Sequence, residues 1–169
     1  YEKNRSFNRI MEVSIRPLKI EDAYTSVKWR NDPEVFKYTG NTYNHEITIQ
    51  DELLWIKKVI QAKDEYRCAI LVGNQYVGNI YLTNICNTSA IYHIFLGEKN
   101  VWGKGVARQA SQLILMYAFN SLDLNSVELH VKMNNERARE LYKRIGFQET
   151  FRDEEWVHMV ITKSDIRDI

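Results

Sequence analysis

Glu98-Lys99-Asn100-Val101-Trp102-Gly103-Lys104-Gly105-Val106-Ala107-Arg108-Gln109-Ala110 stands between an apolar run over 90–96 and a stretch with apolar residues at helical spacing. Ala107, Ala110, Leu113, Ile114 and Tyr117 give that spacing and predict a helix over 104–120. A further apolar segment over 127–132 predicts a strand. Strand, helix, strand requires a crossover, so the two strands are expected to be parallel neighbours. Gly103 and Gly105 can turn successive backbone N–H groups into one concavity, because no Cβ stands in the way. The helix that follows adds the positive end of its dipole, and the whole forms an anion trap suited to phosphates. Lys104 and Arg108 can add charge, and Ala107 is small where a ligand would pass. Taken alone, Gly-x-Gly before a helix reads equally well as a glycine turn capping that helix. The stretch is not a Walker loop, and it lacks the third glycine of the dinucleotide fingerprint.

Outward from this loop, Val13, Ile15 and Leu18 nearly alternate with polar residues and predict a first strand. A helix over 21–31 stops at Asp32-Pro33, and Thr48, followed by Asp51 and Glu52, opens a second helix. Strands are expected over 67–72 and 76–85, joined at Gly73-Asn74-Gln75, with Gly78 as a candidate bulge. A helix over 135–145 ends at Gly146, and the segments 147–151 and 156–161 close the order as a strand pair. The expected class is α/β (α+β). It has a central mixed, mostly antiparallel sheet of about seven strands, about four flanking helices and two splayed parallel strands.

The 169 residues suit one domain over 11–169, with 1–10 as a flexible lead segment. Net charge of +1, from 23 Lys+Arg against 22 Asp+Glu, offers no clustered basic excess for nucleic acid. Two cysteines, Cys68 and Cys86, are too few for a disulfide framework and lack metal-ligand spacing, so no metal is expected. No apolar run reaches the roughly 18 residues of a membrane span. Without a secretory h-region in 1–10, a cytoplasmic protein without membrane partners is expected.

One strand beyond the glycine loop lies Leu129-His130-Val131-Lys132-Met133-Asn134-Asn135-Glu136-Arg137-Ala138-Arg139-Glu140-Leu141-Tyr142-Lys143-Arg144-Ile145-Gly146-Phe147. Together the two stretches resemble the GNAT superfamily of N-acetyltransferases. The family's cofactor loop, Q/R-x-x-G-x-G/A, is matched by Asn100-x-x-Gly103-x-Gly105, with Asn in the first place. Its Asn before a helix ending in Tyr-x-x-x-Gly-Phe is matched by Asn135, Tyr142, Gly146 and Phe147. Trp29-Arg30-Asn31-Asp32-Pro33-Glu34 is similar to two branches, the ribosomal-protein N-terminal acetyltransferases and the nucleotide-amino-sugar acetyltransferases.

The resemblance implies transfer of an acetyl group from acetyl-CoA to a primary amine by direct attack. The acceptor would be a small molecule such as an amino sugar or polyamine, with a protein N-terminus as the alternative. A CoA-binding protein without transferase activity is the rival of another class. Homodimers are common among relatives. Phe95, Leu96, Asn100, Val101, Trp102, Gly103, Lys104, Gly105, Val106, Ala107, Arg108 and Asn135 are the implied cofactor contacts. A backbone N–H around 95–97 is the implied oxyanion donor. Trp29, Phe36 and Tyr38 are the candidate acceptor wall, each with an alternative as packed core.

Tyr142 is the candidate general acid, since a phenol keeps its proton at neutral pH and can pass it to a thiolate. The strand over 89–96 carries no carboxylate where relatives often place a basic Glu. His93 and His130 are therefore the candidate bases, each with an alternative as a hydrogen-bonded structural residue.

Overall fold

The computed structural model describes residues 11–37 and 44–166. Tyr38 and the segment 1–10 lie outside the described residues. Seven strands form a single sheet: β1 (Val13–Pro17), β2 (Tyr66–Val72), β3 (Gln75–Thr83), β4 (Ser89–Leu96), β5 (Ser126–Lys132), β6 (Gln148–Arg152) and β7 (Trp156–Thr162), ordered β1-β2-β3-β4-β5-β7-β6. Among the described residues the helices are α1 (Ala23–Arg30), the short α2 (Pro33–Phe36), α3 (Ile49–Val59), α4 (Val106–Met116) and α5 (Glu136–Ile145).

Alternation along the strands divides the sheet into two faces. One receives α4 and α5. There Ala90 and Tyr92 of β4 and Val127, Leu129 and Val131 of β5 join Ala110, Ile114, Tyr142 and Ile145 in the main core. The other face receives α1 and α3 through a smaller cluster of Leu18, Ala23, Ile56 and Ala69. Phe95 belongs to this second face, edge-on to Trp29 of α1 and tilted against Phe36 of α2. The α4 crossover from β4 to β5 gives the sheet's one parallel pairing, as right-handed strand–helix–strand geometry demands.

Pairing irregularities bend the sheet where the sequence calls for it. The β2–β3 register shifts between Ile70 and Leu71, leaving Val77 unpaired beside Gly78, where a bulge is expected. The helix expected over 104–120 begins later, because Gly105 takes a left-handed φ of +81° and so stands outside the helix as its N-cap. It also ends differently. Tyr117–Ser121 widens into a π turn, closed by Leu122 N donating to Tyr117 O at 3.1 Å.

Candidate active site

β4 and β5 pair only from Ser89↔Ser126 to Ile91↔Glu128, and beyond that point they separate. The opening leads into a cleft of about 1450 Å³ that both faces of the sheet line. The edge of β4 facing it can be read from the register. Gly97 N donates to Val77 O at 2.8 Å, and this continues the β3–β4 register. Backbone groups alternate sides along a strand, so odd-numbered residues of β4 bond to β3. Ile94 and Leu96 then present N–H groups to the gap. Of the three N–H groups at 95–97, that of Leu96 faces the gap, whereas those of Phe95 and Gly97 are directed to β3. The Leu96 carbonyl is taken by Trp102 Nε1 at 3.0 Å.

The glycine loop sits at the wide end of the gap. Gly103 and Gly105 hold φ of +73° and +81°, a region that costs other residues steric strain. Side-chain oxygens cap α2, α3 and α5, where Asp32 accepts from Glu34 N, Thr48 from Asp51 N and Asn135 from Ala138 N. α4 has only Gly105, with no side-chain cap, so its first N–H groups are left for a ligand. Two guanidinium groups converge here. Arg108 lines the cleft with its Nε buried and without a hydrogen-bond partner. Arg137, in the first turn of α5, lies over Gly103, with Nη2 only 2.7 Å from where a Cβ would stand. Two cations in first turns oppose the helix dipoles, an arrangement that a bound anion would relieve. Open glycine backbone and an orphaned buried Arg nitrogen fit the phosphates of CoA.

Of the expected cofactor contacts, Asn100 and Lys104 are exposed and stand away from the cleft lining, while the rest line it. Lys99 turns away from the phosphate side, to Asp32 at 2.9 Å and Glu34 at 2.6 Å. Trp29 Nε1 donates to Glu98 Oε1 at 3.0 Å. Residues 29–34 therefore clamp α1 and α2 to the cofactor loop. Trp29 is 3% exposed, packed against Tyr76 and over Gly97, and does not reach the cleft wall; Phe36 does.

Tyr142 and the two histidines stand on opposite faces with the gap between them. Tyr142 is buried against Tyr92 and Phe147, and burial alone pushes its pKa up, so its hydroxyl is protonated at neutral pH. His93 stacks on Tyr81 at 4.8 Å, and its Nε2 is 2.9 Å from Thr83 Oγ1. Burial, then the nearby Arg67 and His130, lower its pKa to about 4. His130 alternates with the core residues Leu129 and Val131 and stands beside His158 at 4.2 Å. Its pKa is lowered too, first by desolvation and then by His158.

Sequence reasoning missed the chamber beyond His93, where Glu65, Arg67, Tyr81 and Thr83 line the wall. They come together through strand register, Arg67↔Tyr81 and Tyr81↔His93, which sequence spacing does not reveal. Arg137 was closer to legible, because a cation in a helix's first turn is itself a sign of an anion.

The model of the acetyltransferase (GNAT) domain matches residues 12–148. The chain is 26% identical over 140 residues to the acetyltransferase PseH of Campylobacter jejuni, covering 83% of this chain and 85% of that protein. It is 28% identical over 138 residues to the spermidine N(1)-acetyltransferase of Escherichia coli, covering 80% and 72%. The structure of a spermidine N-acetyltransferase from Vibrio cholerae, in complex with CoA and spermine, superposes with a TM-score of 0.80 at 23% identity. That superposition covers 90% of this chain and 96% of the other. With a glycine loop, a parted strand pair and a family match running from β1 to β6, the chain belongs to the GNAT acetyltransferases and is an acetyl-CoA-dependent N-acetyltransferase.

Proposed function

We propose that the protein acetylates the primary amine of a small molecule, with acetyl-CoA lying through the gap between β4 and β5. The observation that carries this is the two-sided cleft. A phosphate-suited loop and a protonated phenol line it on one face of the sheet, and His93 lines the same cleft on the other. PseH and the spermidine acetyltransferases, both named for acetyl transfer, support a small acceptor.

Gly103–Ala107 backbone, Arg108 and Arg137 hold the phosphates. Ile94 and Leu96 N–H groups face the pantetheine and thioester, and Leu96 N–H stabilises the charge that develops on the carbonyl oxygen. Tyr142 donates a proton to the leaving sulfur. His93 lines the cleft and is neutral at physiological pH, with Nε2 engaged by Thr83 Oγ1. A pKa of about 4 makes it too weak to deprotonate a free ammonium ion. The amine therefore enters in its neutral form, and His93 accepts the proton that becomes acidic once the N–C bond forms. His130 lies farther toward β7 and helps to keep His93 neutral.

Product analysis tests this. The protein is incubated with acetyl-CoA and a mixture of amino sugars, polyamines and N-terminal peptides, and products are identified by mass spectrometry. Acetylated small molecules are expected. Acetylation confined to the peptides would overturn the small-molecule reading.

A further inference from the structure

On the acceptor face, Arg67, Tyr81 and His93 form one row across β2, β3 and β4. The Arg67 guanidinium lies 4.2 Å over the Tyr81 ring and 5.1 Å from that of Trp55. Tyr81 stacks in turn on His93. The column fixes the guanidinium plane at the chamber wall. The Arg67 side chain is only 10% exposed. Its Nε donates to Glu65 Oε2 at 2.7 Å, while Nη1 is buried without a hydrogen-bond partner. The Tyr81 hydroxyl interacts with the guanidinium through both its charge and a side-chain hydrogen bond, yet Nη1 itself is left without a partner. Leaving a buried charged donor unsatisfied is costly, and a ligand oxygen would remove that cost.

The carboxylates point the same way. A polyamine brings ammonium groups beyond the one that reacts, and a carboxylate is the strongest side-chain partner for each. Among the described residues lining the cleft, Glu65 is engaged by Arg67 and Glu34 by Lys99. Glu136 and Glu140 are on α5, across the sheet. Among the described residues, the chamber next to His93 thus offers a cation and no carboxylate free of an ion pair.

We propose that Arg67 binds an oxygen of the acceptor and makes the enzyme select oxygen-bearing amines, such as amino sugars, over polyamines. The proposal rests on the small-molecule reading above. A polyamine would meet repulsion from the guanidinium and leave Nη1 unsatisfied, whereas a hydroxyl, acyl or phosphate oxygen would accept from it.

The test measures kcat/KM by thiol release at saturating acetyl-CoA for glucosamine, glucosamine phosphate and spermidine, in wild type, R67M and R67K. Wild type is expected to favour at least one sugar over spermidine by about tenfold or more. R67M should raise KM for that sugar roughly ten- to a hundredfold, the range for a lost charged hydrogen bond, with a smaller change in kcat. Its KM for spermidine should not rise. Calorimetric affinity for acetyl-CoA reports folding. Should R67M fail to bind the cosubstrate, R67K keeps the charge without the planar fork, and a smaller rise in KM for the sugar is then expected. Spermidine turnover equal to that of the sugars in wild type would overturn the assignment. So would an equal loss for all three amines, or no change, in the variants. Thiol release with peptides alone would instead overturn the small-molecule reading itself.

Discussion

Replacing Gly105 with alanine separates the cost of backbone strain from the cost to cosubstrate binding. At φ of +81° a Cβ would meet no atom within 4 Å, so the protein itself loses no packing. What remains is the left-handed penalty of about 1–2 kcal/mol. For a chain of this size that lowers Tm by roughly 2–8 °C. The same Cβ projects into the nest, where phosphate oxygens would approach the backbone N–H groups. Displacing even one charge-assisted hydrogen bond of about 1.5–3 kcal/mol reduces CoA affinity roughly ten- to a hundredfold. Gly73 is the internal control. It has φ of +58° and open space for a Cβ, but stands in the β2–β3 hairpin away from the cleft. Calorimetry with CoA and thermal unfolding are run on both variants. Similar falls in Tm, with CoA affinity lost only in Gly105→Ala, are the expected result. Wild-type affinity in Gly105→Ala would refute the placing of the phosphates on this loop.

Three further outcomes follow from the same geometry. Tyr142→Phe should lower kcat on the order of tenfold to a thousandfold with acetyl-CoA affinity nearly intact, because a general acid acts on the transition state; an unchanged single-turnover rate would remove Tyr142 from the chemistry. His93 is held near a pKa of 4, below its unfolded value, so its contribution is fully present above about pH 6.5 and is lost as pH falls toward 4. Across that window wild type should lose up to about 3 kcal/mol relative to His93→Gln in chemical unfolding, and parallel pH–stability curves would contradict the shift. Gly97→Ala would drive a Cβ into the Trp29 indole and should destabilise by about 2 kcal/mol or more, partly relieved by Trp29→Leu; an unaltered Tm would show that the α1 clamp yields easily.

The parts of the fold that sequence revealed are those with local periodicity or punctuation. Gly103, Gly105 and Gly146 all hold positive φ, and two of them, Gly105 and Gly146, cap helices as N-cap of α4 and C-cap of α5. The parallel pairing followed from the length of the crossover. The acceptor chamber was opaque because its residues meet through strand register: Arg67 reaches His93 only by way of Tyr81. Trp29 shows the reverse difficulty. An aromatic near a site has the same sequence signature whether it faces a ligand or, as here, packs over Gly97 and ties Glu98 to α1. The missing carboxylate of β4 directed attention to His93 and His130, but spacing alone carried no sign of the burial that lowers His93 to about 4.

Amine-dependent release of the CoA thiol under single-turnover conditions tests the central claim most directly. The protein is mixed in excess over acetyl-CoA, with and without a small primary amine, and free thiol is followed in time. The account predicts release that requires the amine, is stoichiometric with acetylated product, and rises with pH as the amine loses its proton. Equal release with and without amine, or none while acetyl-CoA remains bound, would contradict it.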